Sequence, residues 1–295
     1  GVFERFWFWN VVYAGEYAST MGPAEGLANL GAALAKILAA TGGLWALAAF
    51  GVVVQLLFGS RETRAFLFAW LACSAAAVCP GLYFRTHYFI ALLPALALFA
   101  GAAVSHLRRK VNRSTAVAAL ALAAAWGLVQ ERQILFQLAP EAACRQLYVG
   151  NGFVEAQQIG DYLREHASPD ARIAVIGSEP EIYFYARRRG ATGYIYMYGL
   201  MEPQPYAEPM QREMIAEIEA AAPAYLIFVK LELSWLRRAE SAQLVPTWAQ
   251  AYAAEHYALE GIIDLVPGGS HAAWGPAARS YIPQTESLYY VLRRK

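Results

Sequence analysis

Four long apolar stretches crowd into residues 31 to 136 and then stop, so a bilayer is the first environment this chain has to satisfy. A helix needs about 20 mostly apolar residues to cross a hydrocarbon core of roughly 30 Å. The runs Gly31 to Phe58 and Ala65 to Phe84 meet that length. Tyr88 to Ser105 is a little short, and Ser114 to Gln130 is cut off by Glu131 and Arg132. The expected transmembrane helices are 31–58, 65–84, 88–106 and 114–133. Lys36 and Gln55 lie near the ends of the first, where long side chains reach the headgroups. Composition agrees, with only 16% charged residues against about 25% in an ordinary soluble domain.

A net charge of +1 and the lack of a long basic tract argue against nucleic acid as a partner. Arg108, Arg109, Lys110 and Arg113 form the one dense basic cluster, which reads as a topology signal beside a membrane helix. Cys73, Cys79 and Cys144 are too scattered for a disulfide framework or a metal site. Residues 1–30 carry Phe3, Phe6, Trp7, Phe8, Trp9, Tyr13 and Tyr17, an aromatic belt suited to the membrane–water interface. The chain opens at Gly1 without a span before this belt, so a further piece is expected upstream. Loop charges then set the orientation. Arg61, Arg64 and the Arg108 cluster put the first and third loops in the cytoplasm. The aromatic segment, the Arg85 loop and residues 137–295 face outward. The expected location is integral to a membrane, with an extracytoplasmic C-terminal domain.

From about Gln137 charges return and strand-like and helix-like segments alternate. Helices are expected at 151–166, 206–221 and 247–256. Strands are expected at 172–177, 194–198, 225–229, 262–266 and 288–292. Such alternation predicts a soluble α/β domain over 137–295 with a mainly parallel, Rossmann-like sheet. Within it, Ser178, Glu179, Pro180 and Glu181 read as a helix start, with Ser178 capping and both acids at the positive end of the helix dipole. Arg187, Arg188 and Arg189 read as the last turn of the same helix. Gly177-Ser178-Glu179-Pro180 matches neither a dinucleotide fingerprint nor a Walker sequence, and His166, His256 and His271 have no evident nucleophile nearby. The domain reads as accessory.

The most suggestive local site is the second interhelical loop, Pro80-Gly81-Leu82-Tyr83-Phe84-Arg85-Thr86-His87-Tyr88-Phe89. An Arg at the bilayer centre costs about 2.5–3.5 kcal/mol, so Arg85 belongs at the interface. There its planar fork suits a phosphate, and His87 and Tyr88 add polar tips. A snorkelling anchor is the plainer reading of the same residues.

Tyr83 to Ala100 (YFRTHYFIALLPALALFA) resembles the C-terminal membrane segments of integral-membrane glycosyltransferases that use polyprenyl-phosphate sugars. These are the GT-C-type relatives of protein O-mannosyltransferases and aminoarabinose transferases. Phe6 to Ala14, Gly177-Ser178-Glu179-Pro180 and Tyr194 to Tyr198 are similar to other parts of bacterial members. The resemblance implies the C-terminal part of an enzyme that takes a sugar from a polyprenyl-phosphate donor on the outer face of a bacterial inner (plasma) membrane. It implies substrate binding by Arg85, His87 and Tyr88, with Arg85 on the lipid phosphate and Lys36 a weaker candidate at an outer helix end. The family's catalytic Asp lies on an early outward loop. No Asp precedes Asp161 here, and Glu4 and Glu16 do not replace it. No cofactor beyond the lipid-linked donor is implied, and the acceptor stays open. The rival reading is a non-enzymatic, membrane-anchored binding or assembly module. A transporter is weaker, because the spans hold almost no ionisable groups.

Overall fold

The computed structural model describes residues 1–19 and 21–295, and these divide into two compact units, Gly1–Leu138 and Ala139–Lys295. The first unit is helical. Helix α1 (Val2–Trp7) passes through a π-helical turn, Phe8–Val12, into α2 (Tyr13–Ser19). Then follow α3 (Pro23–Phe58), α4 (Arg61–Val78), α5 (Leu93–Lys110) and α6 (Arg113–Gln130). A π-helical turn at Gln133–Gln137 closes the unit.

Among the described residues three stretches, rather than four, are long and apolar enough to cross a membrane: Pro23–Phe58, Thr86–Lys110 and Arg113–Gln130. Helix α4 falls short because Arg61, Glu62 and Arg64 fill its first turn and Pro80-Gly81 follows its end. Only about 14 apolar residues remain, roughly 21 Å at 1.5 Å per residue. Its packing is nonetheless that of a return helix. Val78 clusters with Ala33, while Leu67 clusters with Ala48 and Phe99, so α4 runs antiparallel to α3 and α5. The first span also begins earlier than expected, at Pro23, which leaves Lys36 inside α3 rather than at its end. Non-helical backbone at Thr41 kinks α3, and the Thr41 hydroxyl bonds back to the Ile37 carbonyl at 2.8 Å. Large apolar side chains face outward on these helices, with Leu57 68% and Leu122 72% exposed. In water such surface is costly, and against lipid it is not.

The second unit begins with α7 (Pro140–Leu147) and α8 (Phe153–His166). Strand β1 (Arg172–Ile176) leads to α9 (Glu181–Ala186) and the short β2 (Arg189–Gly190). Helices α10 (Tyr198–Met201) and α11 (Ala207–Ala221) precede β3 (Tyr225–Lys230). Helices α12 (Glu232–Trp235) and α13 (Leu244–His256) lead into β4 (Tyr257–Asp264) and β5 (His271–Trp274). Helix α14 (Pro276–Ser280) and β6 (Leu288–Arg294) complete it. The runs of β1 and β3 are almost wholly apolar because both faces of these strands are covered. Ile159 and Leu163 of α8, Ile182 of α9, Val175, Ile227, Val229 and Tyr289 form the main core.

The strand order is β2-β1-β3-β6-β4-β5. The sheet is mixed, not mainly parallel: β1 pairs in parallel with β2 and β3, whereas β3–β6, β6–β4 and β4–β5 are antiparallel. A parallel neighbour needs a crossover connection. The last strands lack one, since Val266 to Ser270 turns β4 straight back into β5 and β6 enters between β3 and β4 from a loop. Of the segment Tyr194 to Tyr198, expected as a strand, Tyr194 to Met197 is irregular backbone and Tyr198 begins α10.

Candidate functional site

The sequence-predicted residues Arg85, His87 and Tyr88 lie where α4 gives way to α5. Two short 3₁₀ turns, Pro80–Leu82 and Thr86–Leu92, join these helices. Gly81 takes φ +74°, and Leu82 and Phe84 also lie in the left-handed region at φ 54° and 43°. Side chains rarely adopt that conformation. Here buried packing holds it: Phe84 clusters with Ala33, Val78, Phe89 and Leu92. The strained turn leaves Arg85 exposed as the N-cap of the second 3₁₀ segment. Pro94 falls in the first turn of α5, where its missing N–H costs nothing.

The Arg85 guanidinium lies 5.5 Å from the centre of the Tyr83 ring, and Tyr83 stacks on Tyr17 with centroids 4.9 Å apart and planes at 15°. This Tyr17–Tyr83–Arg85 stack positions the cation on aromatic faces. His87 is exposed and meets the Tyr88 ring edge-on at 4.8 Å, while Tyr88 packs half-buried against the Phe84 cluster. Lys36 is exposed on α3 and joins none of these contacts. Tyr17 and Tyr83 are the members that sequence reasoning missed. Tyr83 stands two residues before Arg85 and was within reach, whereas Tyr17 meets it only through tertiary packing.

In the second unit, the residues read as a capping box play other parts. The N-cap of α9 is Pro180, with no side-chain cap. Ser178 instead ties two loops together: its hydroxyl donates to the Ser234 carbonyl at 2.6 Å, and its N–H donates to the Ser234 hydroxyl at 2.8 Å. The Met197 amide donates to the Ser178 hydroxyl at 2.9 Å. Glu179 precedes the helix, is only 6% exposed, and accepts from the Ser234 hydroxyl at 2.9 Å. Burial, opposed by the Ser234 hydrogen bond and reinforced by Glu181, pushes the Glu179 carboxyl up to about 8. Burial also raises Glu181. The three arginines do not form a last helical turn. Arg187 is a left-handed C-cap and Arg189 enters β2, while Arg188 donates to the carbonyls of Arg164 and Ala167 at 2.9 and 2.6 Å.

No protein-family model matches the chain, and no curated protein matches it significantly. What the fold defines is a class: a helical unit with three stretches of membrane-crossing length and apolarity, and a mixed-sheet α/β unit.

Proposed function

We propose that the chain is the C-terminal part of a membrane glycosyltransferase acting on a polyprenyl-phosphate sugar at the extracytoplasmic face. The observation that carries this reading is Arg85, an exposed guanidinium seated on a Tyr83–Tyr17 stack at a break between apolar helices. A lipid phosphate needs a cation at headgroup depth and an apolar surface beside it for the tail. Arg85 supplies the first and the outward Leu and Phe side chains of the spans supply the second. As the sugar leaves, negative charge grows on the phosphate, and a fixed cation stabilises that charge more in the transition state than before it. In this reading His87 and Tyr88, neighbours of Arg85 in the same loop, bond further phosphate or sugar oxygens. The loop charges Arg61, Arg64 and Arg108 to Arg113 favour the cytoplasm, which puts Arg85 at the opposite face. The catalytic base is not among the residues assigned to this site.

The test is transfer of labelled sugar from a polyprenyl-phosphate donor by membranes carrying the protein. Arg85→Ala is expected to cut transfer about a hundredfold, the usual loss for one charge-stabilising group. Arg85→Lys should recover only part of it, because an ammonium lacks the planar fork. Undiminished transfer by Arg85→Ala would remove this loop from the site and favour a non-enzymatic anchor.

A further inference from the structure

Four buried side-chain polar atoms lack a hydrogen-bond partner among the described residues, and two of them, Glu155 Oε2 and Glu181 Oε1, are on two carboxylates that both act on Tyr289. Arg188 Nε is the other such atom in this unit, yet that guanidinium donates through both of its other nitrogens, and further buried polar side chains there are well bonded. Gln211 donates to the Leu200 and Ala242 carbonyls and accepts from the Val245 amide. Asp264 accepts from Tyr281, the Gln284 amide and Thr285. Buried carboxylate oxygens left open call for an explanation.

Glu155 is wholly buried, and its other oxygen takes a 2.5 Å bond from Arg145. Glu155, Glu179 and Glu181 all bear on the buried Tyr289 hydroxyl, which burial first and these three carboxylates next push well above its ordinary value. Glu179 and Glu181 line a cavity of about 120 Å³, whose rim carries Tyr196 and Tyr198 with ring centroids 4.3 Å apart. The cavity lies between the loop after β1 and the loop after β3. From β1 the chain moves to β2 on one side and later to β3 on the other, so this is the switch point at which α/β sheets bind ligands. The backbone makes room for the polar groups. A Cβ on Gly177 would stand 2.3 Å from Glu179 Oε2, and one on Gly152 would stand 2.0 Å from the Tyr289 hydroxyl.

We propose that this cavity binds one neutral sugar ring, with its hydroxyls on the Glu179 and Glu181 carboxyl groups and its face against Tyr196 and Tyr198. Ring hydroxyls both donate and accept, so they satisfy an open carboxylate oxygen and a protonated carboxyl alike. The aromatic rim covers the apolar C–H face of a sugar. A cation fits less well, because a Glu179 carboxyl held up to about 8 is largely neutral at pH 7. The cavity is small enough to take one ring rather than an oligosaccharide. This site is separate from the Arg85 loop and is read by equilibrium binding without turnover, so either proposal can fail alone.

The experiment is saturation-transfer NMR titration of the full chain in detergent with the methyl glycosides of glucose, mannose, galactose and xylose, and with methylammonium chloride. At least one glycoside is expected to bind saturably. Glu181→Gln and Tyr196→Ala should each weaken it about tenfold or more, as when a site built for hydroxyls loses a partner, while Tyr196→Phe keeps the ring and the binding. Circular dichroism confirms that the variants fold. Saturation by no glycoside, binding of methylammonium alone, or glycoside binding unchanged in both weakening variants would overturn the proposal.

Discussion

Glu179 shows how far a residue's role depends on its tertiary setting. Beside a helix start it reads as an acid attracted to the dipole, yet it is buried and accepts a 2.9 Å bond from Ser234, 55 residues away. No local pattern carries that information. The consequence for stability has a definite sign. The Glu179 carboxyl is raised from 4.5 to about 8, so the folded state holds a proton that the unfolded chain releases between those values. Stability is therefore full below 4.5 and falls as pH rises through about 8, by up to about 1.4 kcal/mol per pH unit. Glu179→Gln, a near-isostere that cannot ionise, should flatten this loss between pH 4.5 and about 8 in melts followed by near-ultraviolet circular dichroism. Asp264 works in the opposite sense. Burial opposes its charge, but bonds from Thr285, the Gln284 amide and Tyr281 hold the carboxyl below its usual range. Its contribution is present above the unfolded value, is lost only as pH falls through the lower folded one, and should persist in the Glu179 variant. An unaltered slope between pH 4.5 and about 8 in Glu179→Gln would mean that another group titrates there.

At the scale of elements, what was legible is what local periodicity controls. Strands β1 and β3 declare themselves as short apolar runs, and α8 and α11 as amphipathic stripes with Met210, Met214 and Ile218 on the buried face of α11. Tyr194 to Tyr198 misled because β-favouring tyrosines alternate there, while part of the segment lies open, with Tyr196 44% exposed at the cavity rim. The antiparallel half of the sheet was hidden because it depends on where β6 enters, a pairing made over a long sequence distance. In the helical unit, the contact between α3 and α5 turns on Gly51. A Cβ there would lie 1.8 Å from the Phe99 carbonyl oxygen, and backbone cannot yield as a flexible side chain does. Close helix approach of this kind needs small residues. Gly51→Ala should force the helices apart at a cost of about 1–3 kcal/mol, visible as a lower midpoint for thermal aggregation in detergent. Gly31→Ala, where a Cβ has open space, is the control and should change little.

At the scale of the whole molecule, length and composition make three helical stretches fit to cross a membrane, and charge distribution sets their proposed direction. The apolar runs were readable because lipid imposes the same demand on every residue of a span. The span count was not, since α4 carries its charges in the helical turn that begins it and still packs as a return helix. The break between apolar helices at Arg85 was readable, but the contact of Arg85 with Tyr83 and of Tyr83 with Tyr17 was not. The central claim, that this loop grips a polyprenyl phosphate, is tested most directly by photocrosslinking. The full chain would be held in lipid nanodiscs and illuminated with a polyprenyl phosphate carrying a diazirine near its headgroup. The account predicts label on the peptide holding Arg85, His87 and Tyr88, with competition by unlabelled polyprenyl phosphate and loss in Arg85→Ala. Label spread evenly over the apolar helices, unchanged by competitor or by that substitution, would contradict it.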